Sequence, residues 1–188
     1  MKKHIILASN SPRRRELLAG LDLDFEVKVL PNVAEDYPND LPAVDVAGYI
    51  AREKADVYKA MIIEDDLVIT ADTVVVVDNE VLGKPVDAND ARRMLHLISG
   101  RKHQVVTGVC LLTSTDYHSF SVTTDVTFKK LSDEEINYYI EHFKPFDKAG
   151  AYGIQEWIGY VGVTSINGSY FNVMGLPVQR IWEEVHKL

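Results

Sequence analysis

The sequence predicts an α/β or α+β fold with a mixed sheet, on three observations: short apolar strand segments alternate with helical periodicity, a hairpin signal lies at Asp78-Asn79, and helix caps recur along the chain. Residues 4–8 read as a buried strand. Ser11 then caps a helix with Pro12 at its first position, running through Leu17-Leu18 to a stop near Gly20. Residues 24–30 alternate apolar and polar as a half-buried strand, and the Pro/Asn/Asp-rich stretch 31–42 reads as a loop long enough to be functional. From Ala43 to about Ile63, Ala47, Ile50, Ala51, Ala55 and Tyr58 share a helical face that Lys54 interrupts.

Residues 67–77 are strongly strand-like, and Asp78-Asn79 turns into a strand around Val81-Leu82. A helix follows from Asp87, with Ala91, Met94, Leu95 and Ile98 inward and Gly100 just past its end. Two long strands are expected near 103–113 and 118–129. Ser132-Asp133-Glu134-Glu135 is a capping box opening a helix with Ile136, Ile140 and Phe143 inward. Short strands near 159–166 and 170–173 complete the pattern before Leu176-Pro177 starts a final helix. There is no repeat, low-complexity tract or long linker.

At 188 residues with 46% hydrophobic and 26% charged residues, the chain suits one domain with a full core, or two small lobes sharing a cleft. The N-terminus has a basic start but too few apolar residues for a signal peptide, and no spanning helix is evident. Cys110, the single cysteine, lies in an apolar run and reads as a buried structural thiol, so a reducing cytoplasm fits. A net charge of −8 argues against a general nucleic-acid binder, and any anion must be bound locally. The histidines show no zinc spacing, so a metal would be oxygen-ligated.

Arg13, Arg14 and Arg15 stand in the first turn of the first helix, where the macrodipole disfavours cations by roughly 0.3–1 kcal/mol each. A helix N-terminus with guanidinium forks is a triphosphate cradle; a solvated basic patch is the plain alternative. Asp72 sits among residues that predict burial, so its carboxylate needs a partner. Lys54 or Lys84 would make a structural ion pair, whereas a divalent metal and an attacking water would make an active site. Lys54 either snorkels to water or meets an anion. The small residues of 147–155 suit close approach of backbone to a ligand or a simple turn, and the Gln155 amide can match the imide edge of a pyrimidine.

Ser9-Asn10-Ser11-Pro12-Arg13-Arg14, Arg52-Glu53-Lys54-Ala55, Ala71-Asp72-Thr73, Gly83-Lys84-Pro85, Ser99-Gly100-Arg101, Asp147 through Gln155, Asn167-Gly168-Ser169-Tyr170 and Met174-Gly175-Leu176-Pro177 occur in order along nearly the whole chain. Each is weak alone, but the ordered set resembles the Maf family. The resemblance implies a single α/β domain over 1–188, a mixed elongated sheet flanked by helices, folded like inosine triphosphate pyrophosphatases as two lobes around a deep cleft. It also implies cleavage of a nucleoside triphosphate to monophosphate and pyrophosphate, and a homodimer. Carried over by position, Asp72 matches the proton acceptor, and Ser9, Arg13, Arg14, Lys54 and Lys84 match phosphate-side residues. Glu35, with a one-residue gap in the 31–42 loop, matches a carboxylate that shares with Asp72 a Mg²⁺ or Mn²⁺ ion. Arg13, Thr73 and Gln155 match positions linked to base selection in the branch acting on dTTP and UTP. A 7-methyl-GTP branch and a non-catalytic nucleotide-binding regulator of cell division are the alternatives. Neither a nucleic acid nor a membrane is an expected partner.

Overall fold

The computed structural model describes residues 3–31 and 33–188. Met1 and Lys2 of the basic N-terminal start and Asn32 of the 31–42 loop lie outside the described residues.

Strand β1 (His4–Leu7) buries Ile5, Ile6 and Leu7 and pairs in parallel with both β2 (Phe25–Val27) and β3 (Asp66–Val77). Parallel neighbours need a crossover, which helix α1 (Pro12–Ala19) supplies between β1 and β2. Ser11 Oγ accepts the Arg14 N–H at 3.4 Å, with Pro12 at the first helical position and Gly20 closing the helix. Strand β2 is shorter than the 24–30 alternation suggests because β1 has only four residues to pair with, and the ladder ends where Lys28 N–H reaches Leu7 O.

A 3₁₀ turn (Ala43–Asp45) leads into α2 (Val46–Asp56), which stops short of the Ile63 expected from periodicity. Past Asp56 the chain tightens into turns, and the buried Tyr58 is held by its hydroxyl, which donates to Lys28 O and accepts from Leu30 N–H, both at 3.0 Å. The expected hairpin joins β3 to β4 (Glu80–Leu82), with Asp78 and Asn79 both at positive φ (49° and 65°). Helix α3 (Ala88–Ile98) is capped by Asp87, and the strands β5 (Lys102–Leu112) and β6 (Tyr117–Phe128) follow. The capping box opens α4 (Asp133–Phe143) with both reciprocal hydrogen bonds in place.

Two strand expectations are corrected. Residues 159–162 close helix α5 (Trp157–Gly162), and only β7 (Val163–Asn167) is a strand, antiparallel to β6. A side chain at Gly159 would overlap the Ile154 carbonyl, so the glycine permits this tight helical turn. Residues 170–173 belong to helix α6 (Tyr170–Met174), despite their aromatic and β-branched content. Ser169 Oγ accepts the Asn172 N–H at 3.2 Å, and the buried Asn172 amide donates to Val105 O at 3.2 Å and Thr124 Oγ1 at 3.0 Å. Those three anchors outweigh local strand propensity. The final helix is α7 (Val178–Val185).

The seven-stranded mixed sheet runs β2-β1-β3-β5-β6-β7, with β4 on β3. The chain packs as two compact units, residues 1–72, 107–122 and 175–188, and residues 73–106 and 123–174. Each has its own core. In the first, Ile6, Ala55, Tyr58, Val68, Cys110 and Leu112 cluster. In the second, α3 and α4 pack through Ala91, Leu95, Ile98, Ile136, Tyr139 and Ile140. Cys110 is buried as expected, which raises its thiol pKa.

Candidate active site

In the first unit, α2 is pressed against β5 where Gly108 lies under Ala47 and Gly48; no Cβ could fit there. Thr70 on β3 then donates from its hydroxyl to Ala51 O at 2.6 Å. Together these contacts set the register of α2 on the sheet. They bring Lys54, three residues beyond Ala51, to Asp72, two beyond Thr70.

Lys54 Nζ lies 2.8 Å from Asp72 Oδ1 and 2.7 Å from Glu35 Oε1. Lys54 and Asp72 side chains are only 14% and 13% exposed, so this pair is weakly screened, while Glu35 reaches in from the exposed loop at 48%. The lysine that breaks the apolar stripe therefore does not snorkel to solvent; it bridges two carboxylates.

Arg14 joins the same cluster. Its Nε donates to Gly175 O at 2.8 Å and its Nη1 to Ala71 O at 2.9 Å, which clamps α1 to the residue preceding Asp72 and to the 174–177 motif. Burial lowers its pKa, opposed by the carboxylates of Asp72 and Glu35, with Arg13 acting as a like charge. Two cations, Arg14 and Lys54, thus interact with the two carboxylates, with Arg13 close enough to Arg14 to act on its charge. Ser9 is buried at the β1–α1 turn, where its Oγ accepts the Ser11 N–H at 3.2 Å. Arg15 is exposed.

The donor set suits a hard divalent ion. Among the described residues no group of three or more His, Cys, Asp or Glu could hold a metal. Two convergent carboxylates are nevertheless the protein share that Mg²⁺ takes where phosphate oxygens and water complete its shell. The absence of imidazole and thiolate from the pair points the same way.

The second unit carries Thr73, Lys84 and Gln155. Thr73 follows Asp72 directly on β3, at the boundary between units. Gly150 N–H donates to Gly83 O at 3.1 Å, so the Gly83-Lys84-Pro85 and 147–155 motifs meet. Gly150 has φ +67°, and a Cβ there would come within 2.7 Å of Val75, so both conformation and packing require glycine. Lys84 is exposed next to this contact. The Gln155 amide oxygen is buried and, among the described residues, lacks a hydrogen-bond partner. Tyr139 and Glu156, which surround this segment, escaped the motif-based reading: Tyr139 lies between Ile136 and Ile140 and reads as core, and Glu156 falls one residue beyond the motif.

The fold matches a solved structure, a HAM1 protein from Coxiella burnetii, with a TM-score of 0.52 over 99% of this chain and 100% of that one at 15% identity. The chain belongs to the Maf family, whose model, described as Maf-like protein, matches residues 4–188. A dTTP/UTP pyrophosphatase of Phocaeicola vulgatus is 59% identical over 100% of this chain and 97% of that protein. Another from Parabacteroides distasonis is 55% identical over 98% of this chain and 96% of that protein. Among the described residues no helix is long and apolar enough to cross a membrane.

Proposed function

We infer that this chain hydrolyses dTTP and UTP to the nucleoside monophosphate and pyrophosphate. The observation that carries the chemistry is Lys54 held between Asp72 and Glu35 beside the clamped Arg14. The pyrimidine substrates follow from the relatives' names, at 59% and 55% identity over nearly full length. A cytoplasmic homodimer is part of the same reading.

Arg13, Arg14, Lys54, Lys84 and the Ser9 hydroxyl bind the phosphates, offsetting charge that the acidic chain would otherwise repel. Glu35 and Asp72 would hold Mg²⁺ or Mn²⁺, which supplies Lewis-acid polarisation of the phosphates when bound. Asp72 accepts the proton of the attacking water as its oxygen bonds to the α-phosphorus. The bond from that phosphorus to the bridging oxygen breaks, and the electron pair leaves on pyrophosphate, where Lys54 and the arginines stabilise it. No covalent enzyme intermediate is needed. Thr73, Arg13 and Gln155 select the base.

Asp72→Asn tests the assignment. An asparagine oxygen can still accept from Lys54, so the thermal midpoint should stay near wild type while pyrophosphate release falls roughly 10²–10⁴-fold, the usual contribution of a general base. Wild-type turnover in this variant, or turnover that survives a chelator, contradicts the mechanism.

A further inference from the structure

The Gln155 amide oxygen is buried without a partner among the described residues. An unmet buried acceptor is destabilising, so the surroundings must hold it in place. Polar side chains crowd beside it. A Cβ at Gly153 would lie 3.0 Å from Lys148 Cε, 3.1 Å from Gln155 Nε2 and 3.1 Å from Glu156 Cδ, so three side chains close over the spot that this glycine leaves open. Lys148 is only 8% exposed, and its Nζ meets Glu156 Oε1 at 3.1 Å and Asp147 Oδ1 at 2.8 Å. Glu156 Oε2 accepts from the Tyr139 hydroxyl, which in turn accepts the Gly153 N–H at 3.0 Å. Burial raises the Tyr139 phenol pKa, which keeps its proton available to Glu156.

We propose that Lys148, Glu156 and Tyr139 are positioning residues for base selection, fixing the Gln155 amide so that its oxygen meets the imide N–H of uracil or thymine. They act through Gln155 rather than by touching the base. Cytosine carries an acceptor at that ring nitrogen, so an amide oxygen held rigidly there repels it. A loosened amide can turn to offer its NH₂ instead. The inference rests on the reading of Gln155 as a base-contacting residue.

The experiment measures kcat and KM for UTP and CTP, with thermal midpoints, in wild type, Tyr139→Phe, Lys148→Met and Lys148→Arg. Tyr139→Phe removes one oxygen and carries the test should Lys148→Met not fold. The expected result is a loss of about tenfold in the UTP-over-CTP ratio of kcat/KM, mostly in KM for UTP, with substantial recovery in Lys148→Arg. A ratio unchanged from wild type, even with a lowered thermal midpoint, makes the network merely structural and overturns the proposal. A wild-type enzyme with no preference for UTP over CTP overturns the base-contacting role of Gln155 itself.

Discussion

At the scale of single residues, Arg14 does more than offer charge. Its Nε and Nη1 reach two backbone carbonyls at once, Gly175 O and Ala71 O, and a lysine ammonium cannot match that fork. Arg14→Lys should therefore cost about 1–3 kcal/mol in unfolding free energy as well as lowering turnover, because one buried carbonyl loses its donor. Denaturant unfolding beside steady-state kinetics checks this, and a variant with only the kinetic defect would show that the clamp contributes nothing to folding. The arginine run was legible as an anomaly because it opposes its own helix dipole. Which arginine bends back to the chain was not, since both carbonyls lie far away in sequence. The same holds for Lys54: its place on an apolar stripe marked it as unusual, but its bridging of Glu35 and Asp72 depends on the Thr70 to Ala51 contact, which no local pattern encodes.

At the scale of elements, capped and periodic segments were readable. Ser11-Pro12, Asp87 and the Ser132 to Glu135 box each start a helix where expected, because a cap satisfies backbone donors using residues a few positions apart. Residues 159–162 and 170–173 were misread as strand because their determinants are tertiary. Gly159 makes room for the Ile154 carbonyl, and Asn172 is anchored to β5 and β6. Gly159→Ala should thus destabilise by about 3 kcal/mol, well beyond the gain in helix propensity that alanine brings to an ordinary helical site. A thermal midpoint equal to or above wild type would contradict the close approach. Tyr170 and Phe171 kept their strand-like composition within a helix, as β propensity reflects a packed surface rather than the backbone itself.

At the scale of the whole molecule, a buried histidine in the second unit and a buried glutamate in the first have large pKa shifts that make stability respond to acid. In the second unit His103 is buried with its Nε2 hydrogen-bonded to Tyr152 at 2.6 Å, and burial lowers its pKa from 6.5 to about 4. The unfolded chain therefore takes up that proton first, and stability falls as pH drops from 6.5 to about 4. In the first unit Glu184 on α7 accepts from Lys187, Arg180 and His118, with Lys187 the main cause of a pKa lowered from 4.5 to about 2. Its contribution is fully present above pH 4.5 and is lost as pH falls toward about 2. Unfolding midpoints from pH 7 to 2 should decline in two stages, with His103→Gln flattening the upper and Glu184→Gln the lower; identical profiles in all three proteins would refute the assignment. The central claim, water attack on the α-phosphorus of a pyrimidine triphosphate, is tested most directly by product mass spectrometry in ¹⁸O-labelled water with UTP, dTTP and 7-methyl-GTP. The account predicts preferred turnover of UTP and dTTP, with label in the monophosphate and unlabelled pyrophosphate. Label in pyrophosphate, release of orthophosphate, or preferred turnover of 7-methyl-GTP would contradict it.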